Sequence, residues 1–196
     1  MTWAPVVVPL GVGAGIAALS FAVLPPLLAL VSCGLGWTML AIAVSDARRF
    51  IVPDVLSLPA VPAGVLAAPL IDAGRAASIV FLEHIAAAAL GAGALYAIRK
   101  GYEVTRGREG LGLGDVKLAA VAGAWTGLAG LGHVLLAGCL LALGGVLVMH
   151  AGRLGALRGS TQIAFGVFLA PAIWLVWCLY ALGIDPLSAV LGPSLS

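Results

Sequence analysis

Apolar and polar positions alternate on a long scale in this chain, with extended apolar runs separated by short polar segments. A bilayer core needs about 20 apolar residues per helix. Runs of this kind predict about seven spanning helices, near residues 4–22, 26–45, 54–71, 78–98, 115–131, 133–150 and 163–183. Only a glycine-rich turn within residues 127–132 separates the fifth from the sixth. We therefore expect an all-α, polytopic transmembrane helix bundle that forms one domain over residues 1–196.

The composition supports a membrane protein and excludes several other classes. The chain is 62% hydrophobic and only 9% charged, whereas soluble domains contain about 25% charged residues. Its formal net charge of +2 is too small to indicate a nucleic-acid partner. The three cysteines form no CxxC pair, so we expect buried thiols rather than a zinc site, redox motif or disulfide. The first apolar run lacks a basic segment before it, and we expect a retained helix rather than a secretory signal.

The basic residues are distributed unevenly among the predicted loops. The loops after the second, fourth and sixth spans fall on one side of the membrane. This side holds nine of the ten basic residues, and Arg75 lies on the other side. The nine are Arg48, Arg49, Arg99, Lys100, Arg106, Arg108, Lys117, Arg153 and Arg158. The positive-inside rule makes this side cytoplasmic. The same topology places the N-terminus inside and the C-terminus outside.

Two aspartates fall at this cytoplasmic side although they are distant in sequence. Asp46 closes the second span in "AIAVSDARRFIVPD", and Asp115 opens the fifth in "GLGLGDVKL". Paired carboxylates in a shielded site cannot both ionise easily, so they share one proton. The ionised member can then deprotonate a water while the protonated member polarises a carbonyl, which is the chemistry of aspartic peptide hydrolysis. Which aspartate holds the proton is a property of the pair.

Three glycines, Gly110, Gly112 and Gly114, precede the second aspartate. Because glycine lacks a Cβ, this stretch can adopt unusual φ/ψ angles and lets another backbone approach, such as an extended substrate strand. Alternative interpretations are that the glycines form a plain turn, that Asp115 is a helix N-cap, and that Asp46 is an ordinary interfacial charge. The spacing does not fit a phosphate-binding loop.

These motifs resemble a known family. The segment "GLGD" fits the GxGD signature of polytopic aspartic proteases, and "EGLGLGDVKLAAVAGAW" resembles the second catalytic motif of type IV prepilin peptidases. "SDARRFIVPDVLSLP" is similar to their first motif. "IAFGVFLAPAIW" resembles their last helix, although Ala164 and Val167 replace two prolines of that motif. The resemblance covers roughly residues 10–180 in the expected order.

The resemblance implies an aspartic endopeptidase of the bacterial inner membrane that cuts basic leaders from prepilins or pseudopilins at the cytoplasmic face. The catalytic pair carries over to Asp46 and Asp115. Glu109 and Lys117 match the second motif and, with the three glycines, are candidate substrate-binding residues. For Glu109 the alternative is charge balance with nearby arginines, and for Lys117 it is snorkelling to the interface or tuning of the pair. Asp54 is expected to cap a helix.

The resemblance also bears on cofactors and partners. Longer members of the family carry a CxxC-containing segment linked to N-methylation, which this sequence lacks, so it resembles a peptidase-only form of the kind that serves Flp pili. We expect no methyltransferase activity, metal or cofactor. The expected partners are the lipid bilayer and a prepilin with a single hydrophobic helix, and the oligomeric state is undetermined.

Other functions use the same residues differently. A small ion- or proton-coupled transporter could use the two aspartates as ion ligands, although such sites normally lie near the bilayer midplane. Paired carboxylates can also hold Mg²⁺. Glu83 and His84, at the outer end of the fourth span, are expected to hydrogen-bond to each other at a helix interface or to reach outer water.

Overall fold

The computed structural model describes residues 4–107, 110–151 and 164–184. This part of the chain contains helices and no strand, which confirms the all-α prediction. The helices are α1 (Ala4–Val23), α2 (Pro26–Arg49), α3 (Asp54–Ala67), α4 (Ala77–Arg106), α5 (Leu113–Ala151) and α6 (Gly166–Ala181). A short 3-10 turn, Ala68–Leu70, follows α3. Pro59 and Pro62 lie inside α3.

Helix α5 contains a break where the sequence predicts two spans. Gly127 has φ 65° and ψ −172°, outside the helical region. A Cβ at Gly91 on α4 would lie 2.7 Å from Ala119 O and 3.1 Å from Leu131 Cδ1. In a straight helix those two residues would be about 18 Å apart along the axis. The chain therefore doubles back at the break.

The break corrects the predicted boundary between the fifth and sixth spans. We expected helices over residues 115–131 and 133–150, but the reversal occurs at Gly127, inside the first of these ranges. The physical reason is the backbone geometry: φ near +60° with ψ near 180° is essentially restricted to glycine.

The apolar helices and exterior agree with a membrane protein. By length and composition, three helices of the described part could cross a bilayer: Pro26–Arg49, Ala77–Arg106 and Leu113–Val148. Shorter apolar helices occupy Val8–Val23, Asp54–Leu70 and Gly166–Ala181. Large apolar side chains are exposed on the outside, such as Val55 at 83% and Val104 at 82%. The polytopic helical class is confirmed, whereas seven crossings stays a prediction.

Helix α5 is the centre of the bundle. It packs on α3, α4 and α6, while α1 and α6 pack on α2. Trp125 of α5 donates a hydrogen bond from Nε1 to Ala60 O of α3 at 2.8 Å, and a Cβ on Gly64 would lie 2.7 Å from that Nε1. Small residues thus allow the close helix packing that is typical of membrane bundles.

The end of the bundle that carries Arg75 is held by polar contacts. Arg75 contacts Asp72 and Glu83, each at 2.8 Å. His84 Nδ1 lies 2.9 Å from Ala124 O, near the break in α5. Glu83 and His84 use different partners, so the first alternative, a hydrogen bond between them, is wrong. The Glu83 side chain is 34% exposed, which agrees with the second alternative, access to outer water. His84 instead satisfies a carbonyl beside the break, where a regular helical partner is lost.

The burial of the cysteines and the placement of three arginines were also predicted from the sequence. Of the three cysteines, Cys33 is buried and Cys178 partly buried, but Cys139 is exposed on α5, so the expectation of burial is wrong there. In an apolar exterior such a thiol faces outward at little cost. Arg108, Arg153 and Arg158, which contributed to the predicted topology, lie outside the described residues.

Candidate active site

Asp46 lies near the C-terminal end of α2 and is 6% exposed. Its carboxylate faces the backbone N–H groups of Gly166 and Val167, which begin α6. The first N–H groups of a helix have no partner within the helix and favour a nearby negative charge. Nevertheless, Asp46 Oδ2 is buried without a hydrogen-bond partner. The carboxylate is therefore held on one side and has an unused acceptor.

The segment after α2 brings this aspartate close to α5. Phe50 has a left-handed conformation, φ 54° and ψ 35°, and donates a hydrogen bond to Asp46 O at 2.9 Å. Ser45 Oγ donates to Ile51 O, also at 2.9 Å. The chain then turns so that buried Val52 contacts Gly114, where an added Cβ would lie 2.6 Å from Val52 Cγ2.

Asp115 lies in the first turn of α5 and is partly buried. Because α5 begins at Leu113, the alternative that Asp115 is the N-cap residue is wrong. Its carboxylate faces the backbone N–H of Gly112. This is the geometry of the third residue in a capping box, in which a side chain reaches back to the residue before the helix. Asp115 thus has a structural role in addition to any chemical one.

The two aspartates converge at the start of α6. They are close enough to interact electrostatically. A Cβ at Gly166 would lie 2.7 Å from Asp46 Oδ2 and 3.3 Å from Leu118 Cδ1. Leu118 follows Asp115 by three positions and so shares its face of α5. The convergence expected from the sequence is therefore present in the geometry, with Gly166 between the two helices.

The three candidate glycines have different surroundings. A Cβ on Gly110 would lie 2.7 Å from Tyr102 Cε1, and Gly114 is covered by Val52. Gly112 is more open, since its nearest neighbour would be Asp115 Oδ2 at 3.5 Å. Neither Gly112 nor Gly114 has a positive φ, so neither uses the left-handed angles that glycine permits. Gly110 and Gly114 serve close packing instead, and Gly112 keeps a free side.

Lys117 forms an ion pair with Asp54, through Nζ and Oδ1, that joins α5 to α3. Asp54 is the first residue of α3, whereas Pro53 is its N-cap residue, with no side-chain cap hydrogen bond. The expectation that Asp54 caps the helix is therefore wrong. The ion pair is partly exposed, with 32% of the Lys117 side chain and 61% of the Asp54 side chain accessible. Glu109 lies outside the described residues.

The sequence does not reveal every residue that shapes this site. Arg99 is 8% exposed, and its Nη1 donates to Leu111 O at 3.3 Å, which holds the loop before α5. In the sequence Arg99 serves only as a topology charge. Gly166 lies in the third motif, and this position is the one signal that could have identified it. Val52 likewise lies in the first motif, "SDARRFIVPDVLSLP".

The described side chains also bear on whether a metal ion could bind at this site. They contain no cluster of three or more His, Cys, Asp or Glu side chains that could hold an ion. Two carboxylates are fewer than the ligands of a dedicated all-protein cation site. The geometry therefore offers a pair of acids for proton transfer.

The fold and site define a helical membrane protein in which two carboxylates meet at one end of an apolar bundle. Residues 33–149, more than half of the chain, match the model of the type IV leader peptidase family. The chain therefore belongs to this family.

Several characterised bacterial proteins are similar to the chain. A "Prepilin leader peptidase/N-methyltransferase" of Pseudomonas aeruginosa is 35% identical over 146 residues, which are 73% of this chain and 48% of the relative. The protein of that name from Dichelobacter nodosus is 34% identical, over 72% of this chain and 46% of its own length. The protein of that name from Escherichia coli is 35% identical, over 67% of this chain and 55% of its own length. The chain thus spans about half the length of these relatives. No solved structure matches it significantly.

Proposed function

We propose that this protein is an aspartic endopeptidase that removes the basic leader from type IV prepilins or pseudopilins, with Asp46 and Asp115 as its catalytic pair. The observation that carries the proposal is the convergence of a buried and a partly buried carboxylate beside Gly166. Membership of the leader peptidase family supports it. So does the similarity to relatives that are about 35% identical and are named prepilin leader peptidases/N-methyltransferases.

The chemistry follows from two acids in different surroundings. One carboxylate, ionised, takes a proton from a water, and that water attacks the peptide carbonyl. The other, protonated, donates its hydrogen to the carbonyl oxygen as charge develops there. When the tetrahedral intermediate collapses, the first acid gives the proton that it took from water to the leaving nitrogen, the second takes its proton back from the hydroxyl, and both acids are restored.

The surroundings of the pair suit these roles. The N–H groups of Gly166 and Val167 face the Asp46 carboxylate and limit its rotation, while Oδ2 has no hydrogen-bond partner. The free side of Gly112 leaves room for a substrate backbone next to Asp115. Fixed orientation matters because small displacements of a catalytic group cost much of the rate.

The proposed location is the bacterial inner membrane, with the site facing the cytoplasm. The basic residues Arg48, Arg49, Arg106 and Lys117 lie at the helix ends near the aspartates, whereas Arg75 lies at the opposite end. The positive-inside rule then orients the aspartates inward. A substrate with a basic leader and one apolar helix would present the junction between them at this depth. We propose only the peptidase reaction, of the kind that serves Flp pili, and no methyl transfer.

The test is leader cleavage in liposomes that contain the purified protein and a candidate prepilin. Asp46→Asn and Asp115→Asn should each reduce the cleavage rate at least about a thousandfold, because paired catalytic groups act as a unit. Asp72→Asn is the matched control, since Asp72 contacts Arg75 at the opposite end of the bundle. The control should cleave at the normal rate.

Two results would contradict the proposal. One is full activity in either aspartate variant when it accumulates normally in the membrane. The other is ion flux through these liposomes with no proteolysis of any prepilin, which would favour the transporter alternative.

A further inference from the structure

An apolar groove runs along the outside of the bundle between α2 and α3. Its volume is about 640 Å³, and it extends from Val55, at the start of α3, to Leu70 in the 3-10 turn that follows α3. Leu35 contributes to the α2 wall, Ala60 to the α3 wall, and Trp125 to the floor. All residues that line it are uncharged.

The middle of the groove is lined by small residues that nothing covers. A Cβ on Gly34 of α2 would meet no atom within 4 Å, and Ala63 on the facing wall of α3 is exposed. The hydroxyl of Thr38 donates to Gly34 O at 2.7 Å, so it needs no external partner. Small residues on an apolar surface let a second helix approach closely. The groove therefore fits an uncharged, apolar helix.

The groove leads to the candidate active site. Asp46 follows Leu35 on α2 by three helical turns and lies within about 20° of the same face. The other wall of the groove is α3, which begins at Asp54, directly before the lining residue Val55. The segment that joins the two helices contains Val52, which packs on Gly114 beside Asp115. A helix in the groove would thus direct its inner end toward the two aspartates.

We propose that this groove binds the apolar helix of the substrate and so delivers the cleavage junction to Asp46 and Asp115; this inference rests on the proposed function. The position of the groove supports this occupant. Val55, which lines one end of the groove, follows Asp54, and Asp54 pairs with Lys117, two residues after Asp115. A substrate needs its helix to end at the two aspartates, whereas a lipid chain or a second copy of this protein does not.

The test compares two substrates in the same liposomes. One is a full prepilin in the membrane, and the other is a short peptide with the leader and junction but no apolar helix. Gly34→Leu and Ala63→Trp fill the groove from opposite walls without entering the core. They should lower cleavage of the full prepilin at least about tenfold and leave cleavage of the short peptide within about twofold, because only the first needs the groove.

Matched controls carry the same substitutions on the exposed face of α4. Gly93 has no neighbour within 4 Å of an added Cβ, and Ala89 is exposed. Gly93→Leu and Ala89→Trp should leave cleavage of both substrates unchanged. Equal cleavage of the full prepilin by groove variants and controls would overturn the inference. Loss of both substrates in the groove variants alone would also overturn it, since that result indicates damage to the site.

Cross-linking identifies the occupant directly. Ala63→Cys, in an active chain whose three native cysteines are replaced by alanine, is joined by a short cross-linker to single cysteines along the substrate helix. Cross-links that recur with helical periodicity support the inference when Ala89→Cys gives none. A cross-link to a second copy only, or none to substrate, overturns it. If the unaltered protein cleaves neither substrate, the proposed function fails instead, so the two failures are distinguishable.

Discussion

Asp46 and Gly166 are in contact across α2 and α6. A Cβ at Gly166 would lie 2.7 Å from Asp46 Oδ2 and 3.0 Å from Asp46 Cγ. Glycine therefore permits the start of α6 to approach the carboxylate closely enough for its N–H groups to face it. The same glycine separates Asp46 from Leu118, on the α5 face that carries Asp115. The third sequence motif thus contributes backbone, rather than a side chain, to the site.

We expect Gly166→Ala to impair cleavage although alanine is a good helix former. The added methyl must displace the Asp46 carboxylate or the start of α6, and displacements of this size at a catalytic group cost about tenfold or more in rate. Prepilin cleavage in liposomes measures the effect. Gly144→Ala is the control, because a Cβ there meets nothing within 4 Å. Normal cleavage by Gly166→Ala would show that the contact has no catalytic importance.

The Lys117–Asp54 ion pair predicts a specific pattern of coupling. If Lys117 acts by positioning α5 against α3, then Lys117→Met and Asp54→Asn should slow cleavage equally, by about two- to fivefold, and the double variant should be no worse. The free energy of unfolding should change by less than about 1 kcal/mol in each variant, because the ion pair is partly exposed. A double-mutant cycle on kcat/KM measures the coupling. An effect of Lys117→Met without any effect of Asp54→Asn would instead indicate direct contact of Lys117 with substrate.

Gly127→Ala should destabilise the protein without a direct effect on chemistry. Gly127 has φ 65° and ψ −172°, and an added Cβ would lie 3.2 Å from His84 Nε2. This backbone conformation costs about 1–3 kcal/mol for a residue with a side chain. Unfolding of the purified protein in detergent should reveal the loss. Gly132→Ala, with open space around its Cβ, should unfold like the original chain, and equal stability of the two variants would argue against the reversal at Gly127.

Removal of divalent cations should leave cleavage unchanged. Within the described residues, no three potential ligands converge on one point, and the proposed chemistry needs only the two acids and water. The measurement is prepilin cleavage in excess chelator, with a metal-dependent peptidase as the positive control for chelation. Activity that is lost in chelator and restored by Mg²⁺ would favour the alternative in which Asp46 and Asp115 bind a metal.

The sequence was most informative about properties that depend on composition and order. The apolar runs predicted an all-helical bundle, and the placement of Asp46 and Asp115 at helix ends predicted that they would meet. It was less informative about short-range detail. Asp54 was interpreted as a helix cap, and a cap was the alternative role for Asp115, because aspartate is preferred there. The actual caps depend on where the helix begins, and helix ends follow from tertiary contacts such as that of Val52 with Gly114.

The sequence by itself therefore determined the class of protein and the two candidate acids, because hydrophobicity and motif order are written along the chain. Only the tertiary structure decided that the backbone at Gly166 contacts Asp46, that Lys117 pairs with Asp54, and that α2 and α3 leave a groove between them. These features arise between segments that are distant in sequence. They depend on the angle and depth at which helices pack, which no local pattern of residues specifies.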